Sequence, residues 1–229
     1  MGYQPYLHDL PEADYAAPQN ADVEKREKST FKRSTDLLLA LTASIFLLPV
    51  LVPIAIMIRI SDGGPAIFKQ KRIGLNGREF LCYKFRSMHV DSQRQLAELL
   101  ERDPRARAEW QATQKLENDP RITALGNFLR KSSLDELPQL LNIIKGDMSI
   151  VGPRPIVQNE IEKYGEYFEH YKSVRPGLTG LWQVSGRSET TYEERVALDV
   201  TYVNQRSYFA DLKIMALTVP AVLMSDGAK

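Results

Sequence analysis

The residues best suited to chemistry cluster in Ser132-Ser-Leu-Asp-Glu-Leu-Pro-Gln139. Adjacent carboxylates such as Asp135 and Glu136 can share a divalent cation, and a cation so held screens an attacking carboxylate from a phosphate of like charge. Ser133 and Glu136 also match the S-x-x-E capping box, so two acids that merely complement a helix dipole account for the pattern equally well. Pro138 belongs in a first helical turn, which puts the helix start near Asp135, at a ring of free amides that attracts phosphate.

A second constellation follows a few residues on, in Gly146-Asp-Met-Ser-Ile-Val-Gly-Pro-Arg-Pro155. Arg154 lies between two prolines, so a stiff loop presents a planar guanidinium that suits two phosphate oxygens. A structural turn whose arginine caps a carbonyl is the alternative. Basic residues gather at Lys69, Lys71, Arg72, Arg78, Lys84 and Arg86, and again at Arg121, Arg130 and Lys131. Strand alternation puts Lys84 and Arg86 on one side. His8, His89 and His170 are isolated, and neither Cys-x-x-Cys nor a phosphate-binding Gly-x-x-x-x-Gly-Lys loop occurs. Oxygen-ligand chemistry remains, which favours Mg²⁺.

These residues need elements to carry them. Ala66 to Gln70 and Glu79 to Arg86, joined across Gly74 to Gly77, predict a β-hairpin. Asp91 to Leu116 predicts two surface helices divided at Pro104, and Arg121 to Arg130 another. Glu136 to Ile144 predicts a helix ended by Gly146. Asn159 to Tyr171 predicts a short aromatic-rich helix, and Arg175 to Arg187 an irregular stretch. Thr191 to Gln205 is helical, and Leu212 to Met224 an apolar helix bent at Pro220, suited to a membrane interface. The single cysteine, Cys82, is expected as a reduced core thiol.

Leu37 to Ile58 is a 22-residue stretch without a charge. As a helix it reaches about 33 Å, enough for a bilayer core. Pro49 and Pro53 lie inside it and predict a bend. Five basic residues precede it (Lys25, Arg26, Lys28, Lys32, Arg33) and five follow (Arg59, Lys69, Lys71, Arg72, Arg78), so the positive-inside rule selects neither side. A hairpin that enters and leaves by one face satisfies both flanks, with Lys32 and Arg33 at anionic headgroups. A proline-kinked span is the alternative.

The 229 residues carry 30 Lys and Arg against 29 Asp and Glu, a net charge of +1. This balance disfavours nucleic acid as a partner and excludes a polyanion-coating protein, and one cysteine excludes a disulfide scaffold. The expected organisation is an acidic, disordered tail with a basic flank over 1–30, a re-entrant membrane helix over 31–60 and a cytoplasmic catalytic domain over 61–229. The fold class is α+β, dominated by helices.

The strings Lys84-Phe-Arg-Ser-Met88, Ser133-Leu-Asp-Glu-Leu-Pro-Gln139, Gly146 to Pro155 and Arg175-Pro-Gly-Leu-Thr-Gly180, in that order, resemble the bacterial sugar transferase family of monotopic polyprenol-phosphate phosphoglycosyl transferases. The likeness covers about Phe31 to Met224 and suggests the small, exopolysaccharide-initiating form. It implies that a UDP-sugar donates galactose-1-phosphate or glucose-1-phosphate to undecaprenyl phosphate and releases UMP. By the resemblance Asp135 is the nucleophile of a covalent phosphosugar intermediate, Glu136 its dyad partner, both with Mg²⁺, and Arg154 a phosphate ligand. Lys84, Arg86, Arg130, Arg175, Gln183 and Arg187 are the further candidates for substrate contact. Some members break the membrane helix at a Ser-Pro pair; here the position is Leu48-Pro49. The expected location is the cytoplasmic face of the bacterial inner membrane, among its lipids, with a homodimer admissible. A membrane-tethered scaffold without turnover and a lipid-diphosphate phosphatase are the rival functions.

Overall fold

The computed structural model describes residues 29–185 and 190–223. The tail before residue 29, and with it the expectation of disorder there, lies outside these, as does Arg187. The chain opens with helix α1 (Thr30–Asp62), followed by an antiparallel hairpin of β1 (Ile67–Ile73) and β2 (Glu79–Phe85). Their register pairs Ile67 with Phe85 and Ile73 with Glu79. Asn76 and Gly77 take positive φ at the turn, as the Asn-Gly pair predicts.

Two surface helices follow, α2 (Ser92–Arg102) and α3 (Pro104–Thr113). They divide at Pro104 because Asp103 caps α3 and proline fits its first position. Helix α4 (Ala124–Lys131) starts at the Thr123 cap. A 3₁₀ segment (Leu134–Gln139) leads into α5 (Leu140–Lys145), which ends at Gly146 with φ +95°. Then come β3 (Ser149–Val151), the short helices α6 (Ile161–Tyr164) and α7 (Phe168–Lys172), β4 (Gly177–Thr179), α8 (Leu181–Ser185), α9 (Tyr192–Gln205) and α10 (Tyr208–Leu223).

Several expectations need correction. The aromatic-rich helix is divided, because Gly165 turns the chain at φ +52° between α6 and α7. The stretch after Arg175 is ordered: β4 pairs parallel with β3, Ser149 opposite Gly177 and Val151 opposite Thr179, and α8 follows directly. Glycine makes that pairing fit. A Cβ on Gly177 would sit 2.1 Å from the Gly152 amide nitrogen, and one on Gly152 would sit 2.4 Å from the Arg175 carbonyl oxygen.

Helix α1 is part of the core as well as the element able to enter a membrane by length and composition. Pro49 and Pro53 lie inside it without interrupting it. One stripe packs inward: Ala40 against Cys82, Leu140 and Ile143, and Ile54 and Ile58 against Phe85 and Leu129. The opposite face is apolar and open, with Leu38, Ile45, Phe46 and Ile60 exposed by 67%, 68%, 80% and 77%. Exposed apolar surface this continuous is consistent with contact with lipid. Two further clusters centre on Ile73, Ile156, Tyr164 and Tyr171, and on Val151, Tyr202 and Ile214.

Candidate active site

A cleft opens where the β1–β2 hairpin, the 3₁₀ segment, the loop after β3, strand β4 and helix α8 meet. Arg72, Lys84, Glu136, Gln139, Arg154, Leu178 and Gln183 line it, with Cys82 in its wall. Lys84 projects from β2, and its Nζ donates to Glu136 Oε1 at 2.6 Å. Buried Asn142 sets that distance: its Nδ2 donates to the Leu81 carbonyl (2.7 Å) and its Oδ1 accepts from the Tyr83 amide (3.0 Å), which fastens α5 to β2. Arg72 Nη1 donates to the Pro155 carbonyl at 2.8 Å, so strand β1 braces the Pro-Arg-Pro loop. The Arg154 guanidinium lies over the ring of Trp182, 5.4 Å from its centre.

The two acids differ in their surroundings. Burial pushes the Glu136 carboxyl up, but Lys84, Arg154 and Arg72 outweigh it and hold it below the usual carboxylate range. Asp135 moves the other way, to about 6, because burial and neighbouring Glu136 exceed the help from Lys84 and Arg130. Asp135 therefore lacks sufficient counter-charge. A divalent cation held by the two carboxylates and completed by substrate phosphate oxygens would supply it, in the manner usual for Mg²⁺. Among the described residues no group of three or more metal-binding side chains gathers, so water and phosphate oxygens would complete the shell.

The capping box predicted at Ser133 does not form. Ser133 takes φ +57° and caps nothing with its side chain, while the Glu136 carboxylate is taken up by Lys84. The segment is 3₁₀, and the Glu136 amide donates to the Ser133 carbonyl, so the ring of free amides at the helix start is incomplete.

Of the candidate substrate contacts, Lys84, Arg154 and Gln183 meet in the cleft with the catalytic candidate Glu136, whereas Asp135, the other catalytic candidate, is next to Glu136 in the chain but is not among the lining residues. Arg130 lies beside Asp135 and donates from Nε to the Ser87 hydroxyl at 2.8 Å. Arg86 does not join them; it is buried and paired with Asp62 at the end of α1. Arg175 is turned to the Gly146 carbonyl (2.8 Å). Lys32 and Arg33, expected at lipid headgroups, bind protein instead: Lys32 pairs with Asp211 at 2.7 Å, and Arg33 donates to the carbonyls of Ile143 and Ile144. Sequence reasoning missed Trp182 and Asn142 as positioning groups, and left Arg72 among general surface charge. Its alternation with Gln70 on β1 was the signal available for Arg72.

The bacterial sugar transferase profile matches residues 27–225. The chain belongs to the bacterial sugar transferase family. It is 51% identical over 197 residues to the exopolysaccharide production protein ExoY of Sinorhizobium fredii, covering 86% of this chain and 87% of that protein. It is 48% identical over 207 residues to the undecaprenyl-phosphate galactose phosphotransferase of Salmonella typhimurium, covering 90% of this chain and 43% of that one. Over 196 residues it is 42% identical to the UDP-glucose:undecaprenyl-phosphate glucose-1-phosphate transferase of Escherichia coli, covering 82% and 39%. The chain spans less than half the length of the last two relatives. All the cleft residues of this family member, and α1 with them, fall inside the matched region.

Proposed function

We propose that this sugar transferase moves galactose-1-phosphate or glucose-1-phosphate from a UDP-sugar to undecaprenyl phosphate and releases UMP, as the first step of exopolysaccharide repeat-unit synthesis. The observation that carries the proposal is the convergence of Lys84, Arg72 and Arg154 on Glu136 in a cleft, with Asp135 adjacent to Glu136 and within the influence of Lys84 and Arg130, on a body with a long apolar helix. Phosphoryl transfer needs positioned counter-charge more than covalent elaboration, and three cations around one carboxylate leave net positive charge for a diphosphate. The names of the relatives point to the same lipid-carrier chemistry.

In this reading an Asp135 carboxylate oxygen attacks the sugar-bearing phosphorus and the bond to UMP breaks. A phosphate oxygen of the lipid then attacks the same phosphorus and returns the carboxylate. Asp135 and Glu136 would hold Mg²⁺, which lowers the charge barrier between carboxylate and phosphate when bound. Lys84 keeps Glu136 ionised and Arg154 binds the diphosphate from its proline-flanked loop.

We also propose that α1 is re-entrant, on the cytoplasmic leaflet of the inner membrane. The support is that both polar ends of the helix bond to the same folded body, Asp36 to Ser149 and Asp62 to Arg86. The 26 positions that separate those acids rise about 39 Å along a straight helix, so a perpendicular span would part them by a whole bilayer core. A cysteine introduced at Ala17 should label from the cytoplasmic side alone; periplasmic labelling would establish a span. Function is tested by incubating the purified protein with a panel of UDP-sugars, Mg²⁺ and undecaprenyl phosphate. UMP release that Asp135→Asn abolishes in a folded, membrane-bound protein is the expected result. Release of inorganic phosphate without a UDP-sugar would instead identify a phosphatase, and indifference to the substitution a scaffold.

A further inference from the structure

Helix α1 reaches the active site through three polar side chains. Near its N-terminus Arg33 donates to the carbonyls of Ile143 (2.7 Å) and Ile144 (3.0 Å), which close the C-terminal end of α5. The other end of α5 runs directly into the 3₁₀ segment that carries Asp135 and Glu136. One turn further along α1, Asp36 is 5% exposed, an acid at the edge of a charge-free apolar run. Its Oδ2 accepts from the Ser149 hydroxyl at 2.8 Å and its Oδ1 from the Ile150 amide at 3.2 Å. These residues begin β3, which leads through Gly152 and Pro153 to Arg154. At the far end Asp62 accepts from Arg86 and, at 3.1 Å, from the Val90 amide. Arg86 directly follows β2, the strand of Lys84.

Each contact therefore pins an element next to one charged wall of the cleft: α5, which continues the 3₁₀ segment of the carboxylates, β3, which leads to Arg154, and β2, which carries Lys84. A buried carboxylate with two hydrogen bonds to one strand is costly to desolvate, and an apolar residue would pack there more cheaply if packing were the only need. Lys32, 3.7 Å from Asp36, and Asp211 complete the charge balance around it.

We propose that Arg33, Asp36 and Asp62 are positioning residues for the transfer reaction, and that the membrane helix forms part of the catalytic scaffold. Asp36 is the decisive member, because it holds the strand that presents Arg154. Seating α1 in the bilayer and aligning the phosphate-binding cations are then one event. The kinetic part of this inference rests on the transferase reading given above.

The experiment compares full-length wild type with Asp36→Ala, Asp36→Asn and Ser149→Ala in the same nanodiscs. Asn keeps an acceptor for the Ile150 amide and a partner for Ser149, so it serves as the conservative rescue. Asp36→Ala should raise KM for the UDP-sugar roughly tenfold while membrane association persists, with Asn recovering most of the loss and Ser149→Ala showing a smaller shift of the same kind. Hydrogen exchange at the amides of 149–152 should accelerate in Asp36→Ala without any substrate present. That readout is independent of turnover: a wild type without UMP release but with the exchange response would sink the transferase reading and leave the clamp standing. Unchanged KM and unchanged exchange in Asp36→Ala would overturn the proposal. If Asp36→Ala does not fold, Ser149→Ala decides by the same two measurements.

Discussion

Replacing Lys84 by methionine keeps the length of the side chain and removes its charge, and its consequences separate into two measurable parts. Glu136 loses its partner at 2.6 Å, and Asp135 loses the larger of the two cationic influences that restrain its rise to about 6. At pH 7 a carboxyl with that value is about 90% ionised. Loss of an opposite charge at this range raises a carboxyl by about 1–3 units, which leaves Asp135 about half ionised for one unit and about a tenth for two. The sign follows: a raised nucleophile moves the acid limb of kcat/KM to higher pH, and the loss fades as pH rises past the new value. The missing contact to the developing phosphate charge adds a loss of about a hundredfold that persists at every pH. UMP release by wild type and Lys84→Met across about pH 5 to 9, at Mg²⁺ well below saturation so that the metal-free carboxyl sets the acid limb, resolves both. An acid limb left in place together with an unaltered plateau would refute the arrangement of Lys84 between the carboxylates.

Three further outcomes are expected. Asp135→Asn should abolish UMP release and stabilise the protein at pH 8 in the absence of metal. The native carboxyl, raised to about 6, binds its proton more tightly than the unfolded chain, so its ionisation withdraws up to about 3 kcal/mol of stability as pH rises through that value. Melting curves of the two proteins should therefore diverge at pH 8 and converge near pH 4. Gly177→Ala forces a Cβ to within 2.1 Å of the Gly152 amide and should cost about 1–3 kcal/mol, read as a lowered melting temperature, with donor affinity falling as Arg154 shifts. Trp182→Leu removes the ring under Arg154 and should raise KM for the donor about three- to tenfold, with kcat less affected, in initial-rate assays.

The site was legible where chemistry is local. Asp135 and Glu136 are adjacent, Arg154 is flanked by prolines, and no folding is needed to see that such groups suit a phosphate. Arg86 and Arg175 were equally plausible by type, yet one is turned to Asp62 and the other to the Gly146 carbonyl. A basic side chain gives no sign in sequence of whether its partner is a substrate or a distant carbonyl. The strands β3 and β4 escaped notice because three residues among glycines and prolines show no alternation, and their pairing depends on backbones in near contact.

The chain order of residue types alone determined the hairpin, the apolar run of α1, the division at Pro104, the glycine stop at 146 and the carboxylate pair, since each depends on neighbours within a turn or two. Tertiary structure decided which cations face those carboxylates, that Ser133 caps nothing, and that Arg33 and Asp36 turn to the protein instead of lipid. These outcomes turn on contacts between residues far apart in the chain, Lys84 with Glu136 at 52 positions and Arg33 with Ile143 and Asp36 with Ser149 at more than a hundred. Such contacts arise from competition among many partners for one buried charge, which no local pattern encodes.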